Sequence, residues 1–145
     1  MPLALLLCLV VGVTDEDTLT ARCGTDRPQT LTIRLAEIDA PERGQPFSAR
    51  SKQHLASLCL RKEAEVRAKT TDRYGRTVAR VTCAGTDANA AMVEAGMAWA
   101  FTKYVTDPRL PELQANAMAR RAGLWADPSP VSPWEWRRGK VEARH

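Results

Sequence analysis

Apolar and polar residues alternate through the first third of the chain and again in its middle, the period-2 signature of half-buried strands. Residues 10–14 and 18–22 follow this pattern on either side of Asp15-Glu16-Asp17, three residues of poor strand propensity, so the two segments predict a hairpin. A polar turn over residues 24–29, with Pro28 inside it, leads to a third strand over residues 30–38. Leu31, Ile33 and Leu35 share one face of that strand, and pairing stops by Pro41, which has no N–H to donate. Two more alternating segments, 64–69 and 77–83, flank the turn Asp72-Arg73-Tyr74-Gly75.

The period changes between and after these strands. Residues 47–60 place Phe47, Leu55, Ala56 and Leu58 at helical spacing. Residues 88–95 predict a helix capped by Thr86 or Asp87 and stopped by Gly96. A longer helix opens at Pro108 and Pro111, carries Leu113, Ala117 and Met118 on one face, and closes by Gly123. Beyond it Pro128, Pro130 and Pro133 argue for an extended tail, with Trp125, Trp134 and Trp136 to bury against the domain. The expected class is α+β: a small closed barrel of five strands with about three helices, for which the OB-fold is the commonest five-stranded solution.

Length and charge narrow this picture. At 145 residues the chain fits one domain that buries its own core. Twenty-one Lys and Arg against 17 Asp and Glu leave a net charge of +4, which modestly favours a polyanionic partner. Residues 3–13 are almost continuously apolar, too short to span a membrane and similar to a signal-peptide core, although no Lys or Arg precedes them and no small-x-small cleavage site follows. The resulting division is an apolar leader over residues 1–9, a barrel domain over 10–126 and a basic Pro- and Trp-containing tail over 127–145, in a secreted or periplasmic protein. Cys8, Cys23, Cys59 and Cys83 fit no zinc spacing. If Cys8 departs with a leader, the other three allow one disulfide and one free thiol; the alternative is buried small hydrophobes. Arg137, Arg138, Lys140 and Arg144 read as a solvated or disordered tail that at best adds non-specific attraction for phosphate.

The candidate chemistry lies at strand ends. Asp17 ends the hairpin turn, Asp39 ends the third strand and Glu42 follows it, so three carboxylates approach one point if the first and third strands are neighbours. Such a set suits a hard divalent cation, and calcium's tolerant oxygen coordination suits a loop-built site better than magnesium's strict octahedron. Arg34, within the third strand, and Arg76, closing the Asp72 turn, are placed to fork onto a phosphate. Carboxylates, a cation and guanidinium groups are the components needed to attack a phosphodiester with water.

At these residues the sequence resembles the staphylococcal-nuclease-like, or thermonuclease, family. The matching segments are Val13-Thr14-Asp15-Glu16-Asp17-Thr18-Leu19, Ile33-Arg34-Leu35 through Asp39-Ala40-Pro41-Glu42, Asp72-Arg73-Tyr74-Gly75-Arg76, Asn89 with Val93 and Gly96, and Gly123-Leu124-Trp125. The resemblance implies an OB-fold barrel carrying a calcium-dependent phosphodiesterase that cleaves DNA and RNA with little sequence preference and leaves 3′-phosphate ends. By position, Asp17, Asp39 and the main-chain carbonyl of Ala40 would bind calcium, and Glu42 would orient or deprotonate the attacking water. Arg34 and Arg76 would hold the phosphate, while Arg73, Tyr74 and Tyr104 would contact the nucleotide. No stable protein partner is implied, and the expected state is a monomer. The family has glycine where Glu16 stands, so Glu16 is expected to be strained if that turn needs a left-handed backbone. A non-catalytic OB-fold module binding nucleic acid or protein is the alternative, and an acid cluster that repels phosphate argues against it.

Overall fold

The computed structural model describes residues 5–143. Five strands, β1 (Leu5–Asp15), β2 (Thr18–Cys23), β3 (Gln29–Leu35), β5 (Glu63–Thr71) and β6 (Thr77–Cys83), form a closed barrel. Closure is made by β3 running parallel to β6, while β1 pairs antiparallel with both β2 and β5. Two short strands, β4 (Ile38–Asp39) and β8 (Trp99–Ala100), form a separate antiparallel pair, and β7 (Thr86–Asp87) extends the edge at β6. The interior is filled by inward positions such as Val10, Leu19, Ile33, Leu35, Val66 and Val81, all fully buried, as alternation along each strand requires. This is the predicted five-stranded α+β barrel.

Helices α1 (Ser48–Cys59), α2 (Ala88–Glu94) and α3 (Arg109–Ala119) lie within the expected stretches. Asp87 caps α2 by accepting the Ala90 N–H at 3.0 Å. Asn89, on the first turn, locks α2 to the barrel: its Oδ1 accepts from Val81 N–H, and its Nδ2 donates to the Ala36 and Ala79 carbonyls. The Ala79 carbonyl also accepts the Ala36 N–H at 2.8 Å, so Asn89 adds to a hydrogen-bonded junction that is already buried.

Four expectations are corrected. Residues 5–9, read as part of a leader, are the first half of β1, where residues 5–9 pair with β5; residues 1–4 of that leader lie outside the described residues. Leu5, Leu7 and Leu9 face outward while Cys8 and Val10 face the core, so an all-apolar run hides a strand's alternation. Secondly, all four cysteines pair, Cys8 with Cys23 across β1 and β2 and Cys59 with Cys83 between α1 and β6. Thirdly, the strand expected over 30–38 ends at Leu35, and Glu37 turns the chain at φ 67° before β4 begins. Fourthly, the proline-rich tail ends in a helix, α4 (Pro133–Ala143). Pro133 occupies its first position, where no intrahelical N–H is needed. Ser132 precedes it, donating its hydroxyl to Glu135 and accepting the Glu135 N–H, a variant of the capping box.

Candidate active site

The site grows from the end of β3. Arg34 pairs with Thr18 of β2 across the sheet, which brings its guanidinium beside the turn that carries Asp17. The turn is fastened to this strand by the Leu35 N–H, which donates to the Asp17 carbonyl at 2.9 Å. Asp39 arrives from the other side because the turn at Glu37 redirects the chain into β4, which is held by its pairing with Trp99. Arg34 Nη2 consequently lies 3.4 Å from both Asp17 Oδ2 and Asp39 Oδ1. The Ala40 N–H approaches Asp17 Oδ2 at 3.4 Å as well. Asp17, Arg34, Asp39 and Ala40 thus meet at one place.

Glu42 reaches the same cluster through a residue that was read from sequence as solvated tail. Arg137, on α4, forks onto Asp39, with Nη2 2.7 Å from Oδ2 and Nη1 3.3 Å from Oδ1, and Nη1 also donates to Glu42. Asp39 is 1 % exposed, and burial pushes its carboxyl pKa up. Hydrogen bonding to Arg137 and the charges of Arg34 and Arg137 pull it down, Asp17 adds to the rise, and the net shift is upward. The signal that would have exposed Arg137 is its spacing: Trp134 lies three residues earlier, one turn away on a helix, and Ser132 and Glu135 mark that helix's start.

Arg34 also lines a neighbouring cleft of about 410 Å³, together with Glu37, Lys69, Arg76, Phe101 and Tyr104. That volume is in the range of small-ligand sites. Arg76 is aimed by Asp72, whose Oδ2 accepts from its Nε at 2.7 Å and whose Oδ1 caps the turn by accepting the Tyr74 and Arg76 N–H groups. Desolvation would raise the Asp72 pKa, but these donors hold it below the usual carboxylate range. Tyr104, 56 % exposed, stands edge-on to Phe101 with centroids 5.0 Å apart. Arg73 and Tyr74 lie outside the cleft lining: Tyr74 is exposed at the hairpin tip, with the Arg73 and Arg76 guanidiniums over its ring. The structure therefore gathers Arg34, Arg76 and Tyr104 in one cleft and leaves Arg73 and Tyr74 beside it.

Glu37 anchors the cleft wall and was missed in the sequence, where it reads as a solvated strand residue. Its Oε1 accepts from the Thr106 N–H and hydroxyl and from the Asp107 N–H, and its Oε2 accepts from Lys69 at 3.0 Å. Burial alone would raise its pKa, but these donors lower it to about 2. A carboxylate depressed in the folded state stabilises it above the unfolded value of 4.5, and that contribution is lost as pH falls towards 2. The shift corresponds to about 3 kcal/mol. Glu37→Gln is expected to lower stability at pH 7 and to flatten the acid limb between those values, as measured by urea denaturation across pH; an unchanged limb would remove Glu37 from the acid response.

Glu16 departs from its expected strain, since its backbone is not among the left-handed residues of the chain. Its carboxylate accepts from the Ser48 hydroxyl at 2.6 Å, at the first residue of α1, where negative charge is favoured. Glu16→Gly is therefore expected to destabilise the fold by about 1 to 2 kcal/mol, through the lost hydrogen bond and the freer unfolded chain. A higher melting temperature would restore the strain account.

The donor chemistry of the cluster fits a hard cation. Asp17 and Asp39 converge on Arg34 Nη2 while Arg137 forks onto Asp39, so the two carboxylates already meet positive charge, and their oxygens are the donors a hard cation takes. Among the described residues no three His, Cys, Asp or Glu side chains are gathered to hold a metal unaided; an ion here would draw on the two aspartates, main-chain oxygen and water.

With this geometry in hand, comparison with known proteins gives the affiliation. The model of the family described as staphylococcal nuclease homologue matches residues 32–127, and the chain belongs to that family. It is 45 % identical over 131 residues to an "Uncharacterized endonuclease" of Haemophilus influenzae, covering 90 % of this chain and 72 % of that protein. It is 43 % identical over 145 aligned positions to the "Micrococcal nuclease" of Shigella flexneri, covering 92 % and 82 %. "Protein ParB" of Escherichia coli is 41 % identical over 140, covering 89 % and 77 %.

Proposed function

We propose that the protein is a calcium-dependent endonuclease that hydrolyses DNA and RNA with little sequence preference and leaves 3′-phosphate ends. The observation that carries this reading is the convergence of Asp17 and Asp39 on Arg34, beside a cleft that Arg34 shares with Arg76 and Tyr104. Membership of a nuclease family and the relatives named as nucleases support it.

In this reading Asp17, Asp39 and the Ala40 carbonyl would hold the ion, which would supply fixed positive charge to the reacting phosphate. Glu42 takes the proton of the attacking water, a role open to a carboxylate that is half exposed at the cluster's edge. Arg34 and Arg76 bind the phosphate oxygens from the cleft side and stabilise the charge that builds on them, a contribution of roughly 3 to 4 kcal/mol per donor at comparable sites. Tyr104 offers a ring face on which any base stacks, as broad specificity requires, with Arg73 and Tyr74 contacting the adjoining strand. Two disulfides support export to an oxidising compartment, and among the described residues no helix is long and apolar enough to cross a membrane. A monomer suffices, because every residue named in the mechanism comes from one chain.

The test is hydrolysis of end-labelled single-stranded DNA and RNA of mixed sequence. Both should be cut internally at many positions, giving fragments whose 5′-hydroxyl ends a polynucleotide kinase labels directly and whose 3′-phosphate ends shift in mobility when treated with phosphatase. Cleavage leaving 3′-hydroxyl ends would contradict the assigned bond, and no cleavage would leave the barrel a binding module.

A further inference from the structure

Three features lie outside the proposed mechanism. The outward row of Leu5, Leu7 and Leu9 on β1 is apolar and exposed, but nothing indicates what covers it. The ion-pair network of Arg80, Asp87, Asp107 and Arg109 has its charges matched internally. Arg137 is different, because it occupies groups the reaction needs.

Helix α4 is seated firmly. Trp134 stacks on Phe101 at 5.2 Å with an interplanar angle of 3°, and meets the edge of Trp99 at 5.6 Å. Gln45 joins the two sides: its Nε2 donates to the Val131 carbonyl just before the helix, and its Oε1 accepts the Glu42 N–H at 2.9 Å. The loop bearing Glu42 and the start of α4 are thus tied together, and Arg137 follows Trp134 by one turn onto Asp39 and Glu42. Its guanidinium spans a carboxylate assigned to the ion and the carboxylate assigned to water. At 41 % exposure its side chain has solvent to move into, while the helix stays held by Trp134.

We propose that Arg137 is a resident cation of the acid cluster, which a divalent ion must displace from Asp39 and Glu42, so that this arginine sets the metal affinity of the site. The inference rests on the metal reading above. A site that is competent only for the fraction of time Arg137 is away binds its ion more weakly by that fraction. Removing Arg137 should therefore tighten metal binding, whereas a residue that merely supported the fold would leave it unchanged or weaken it.

The test uses the full chain with its disulfides intact. Calcium is titrated by calorimetry into the wild type, Arg137→Ala and Arg137→Lys, and each is melted in chelator and in saturating calcium. Arg137→Ala should bind calcium about tenfold more tightly. It should melt below the wild type in chelator, where Asp39 has lost a partner, and the gap should close in calcium. Arg137→Lys should fall between, since an ammonium cannot fork across two carboxylates; it also serves if the alanine variant fails to fold. Equal or weaker calcium binding by the variants, with the wild type binding normally, overturns the competition alone. Absence of calcium binding in every protein overturns the metal reading and the competition together.

Discussion

Glu42→Gln is expected to lower kcat by about a thousandfold while KM moves only a few fold, because general-base assistance is typically worth 10²- to 10⁴-fold. Glutamine keeps the size of the side chain and can still point at a water, but it cannot take the proton. The change also removes the charge that Arg137 meets at Glu42. That pair is partly exposed on both sides, so its loss should matter little for stability. Steady-state kinetics on denatured DNA, with thermal melting in parallel, separates the outcomes. Turnover within a few fold of the wild type would take Glu42 out of the chemistry, and a large loss of stability would show that the residue serves the fold.

Gly123→Ala should cause a large loss of stability. Gly123 has φ +54°, and a Cβ there would lie 2.3 Å from the Gly96 carbonyl oxygen and 2.8 Å from that of Ala95. Both obstacles are backbone and cannot rotate away. The two glycines sit against each other because the Leu124 N–H donates to the Gly96 carbonyl at 2.9 Å. That bond fastens the 3₁₀ turn Gly123–Ala126 to the end of α2. The left-handed backbone costs alanine about 1 to 2 kcal/mol and the overlap about 1 to 3 more. A melting temperature lower by about 6 to 15 °C should follow for a domain of this size. A change within about 2 °C would mean the turn repacks freely.

The barrel was legible because its strands obey a simple rule. Leu31, Ile33 and Leu35 alternate with polar neighbours, and the same alternation marks β5 and β6. Arg34, Asp39 and Glu42 could be grouped from sequence because they follow one another along a stretch bounded by Pro41, and Asp17 because a hairpin of known position carries it. The failures have physical causes. At residues 5–9 both faces of β1 are apolar, so no period distinguishes a strand from a leader. Glu37 turns the chain without a glycine, since its side chain is satisfied by Thr106, Asp107 and Lys69, which lie far away in sequence. The cysteine pairs depend on which elements neighbour each other, and α4 was masked by prolines whose last member begins the helix. Arg137 was lost with it, so the acid cluster's second guanidinium became visible only in three dimensions.

In the proposed mechanism, Asp17 and Asp39 gather a cation that hydrolysis requires. The most direct measurement is the rate of hydrolysis of denatured DNA as free calcium is raised from chelated to saturating, with far-ultraviolet circular dichroism recorded on the same samples. The account predicts no hydrolysis in chelator, a saturable rise with calcium, and an unchanged spectrum throughout. Hydrolysis that persists in chelator while the fold is intact would contradict it.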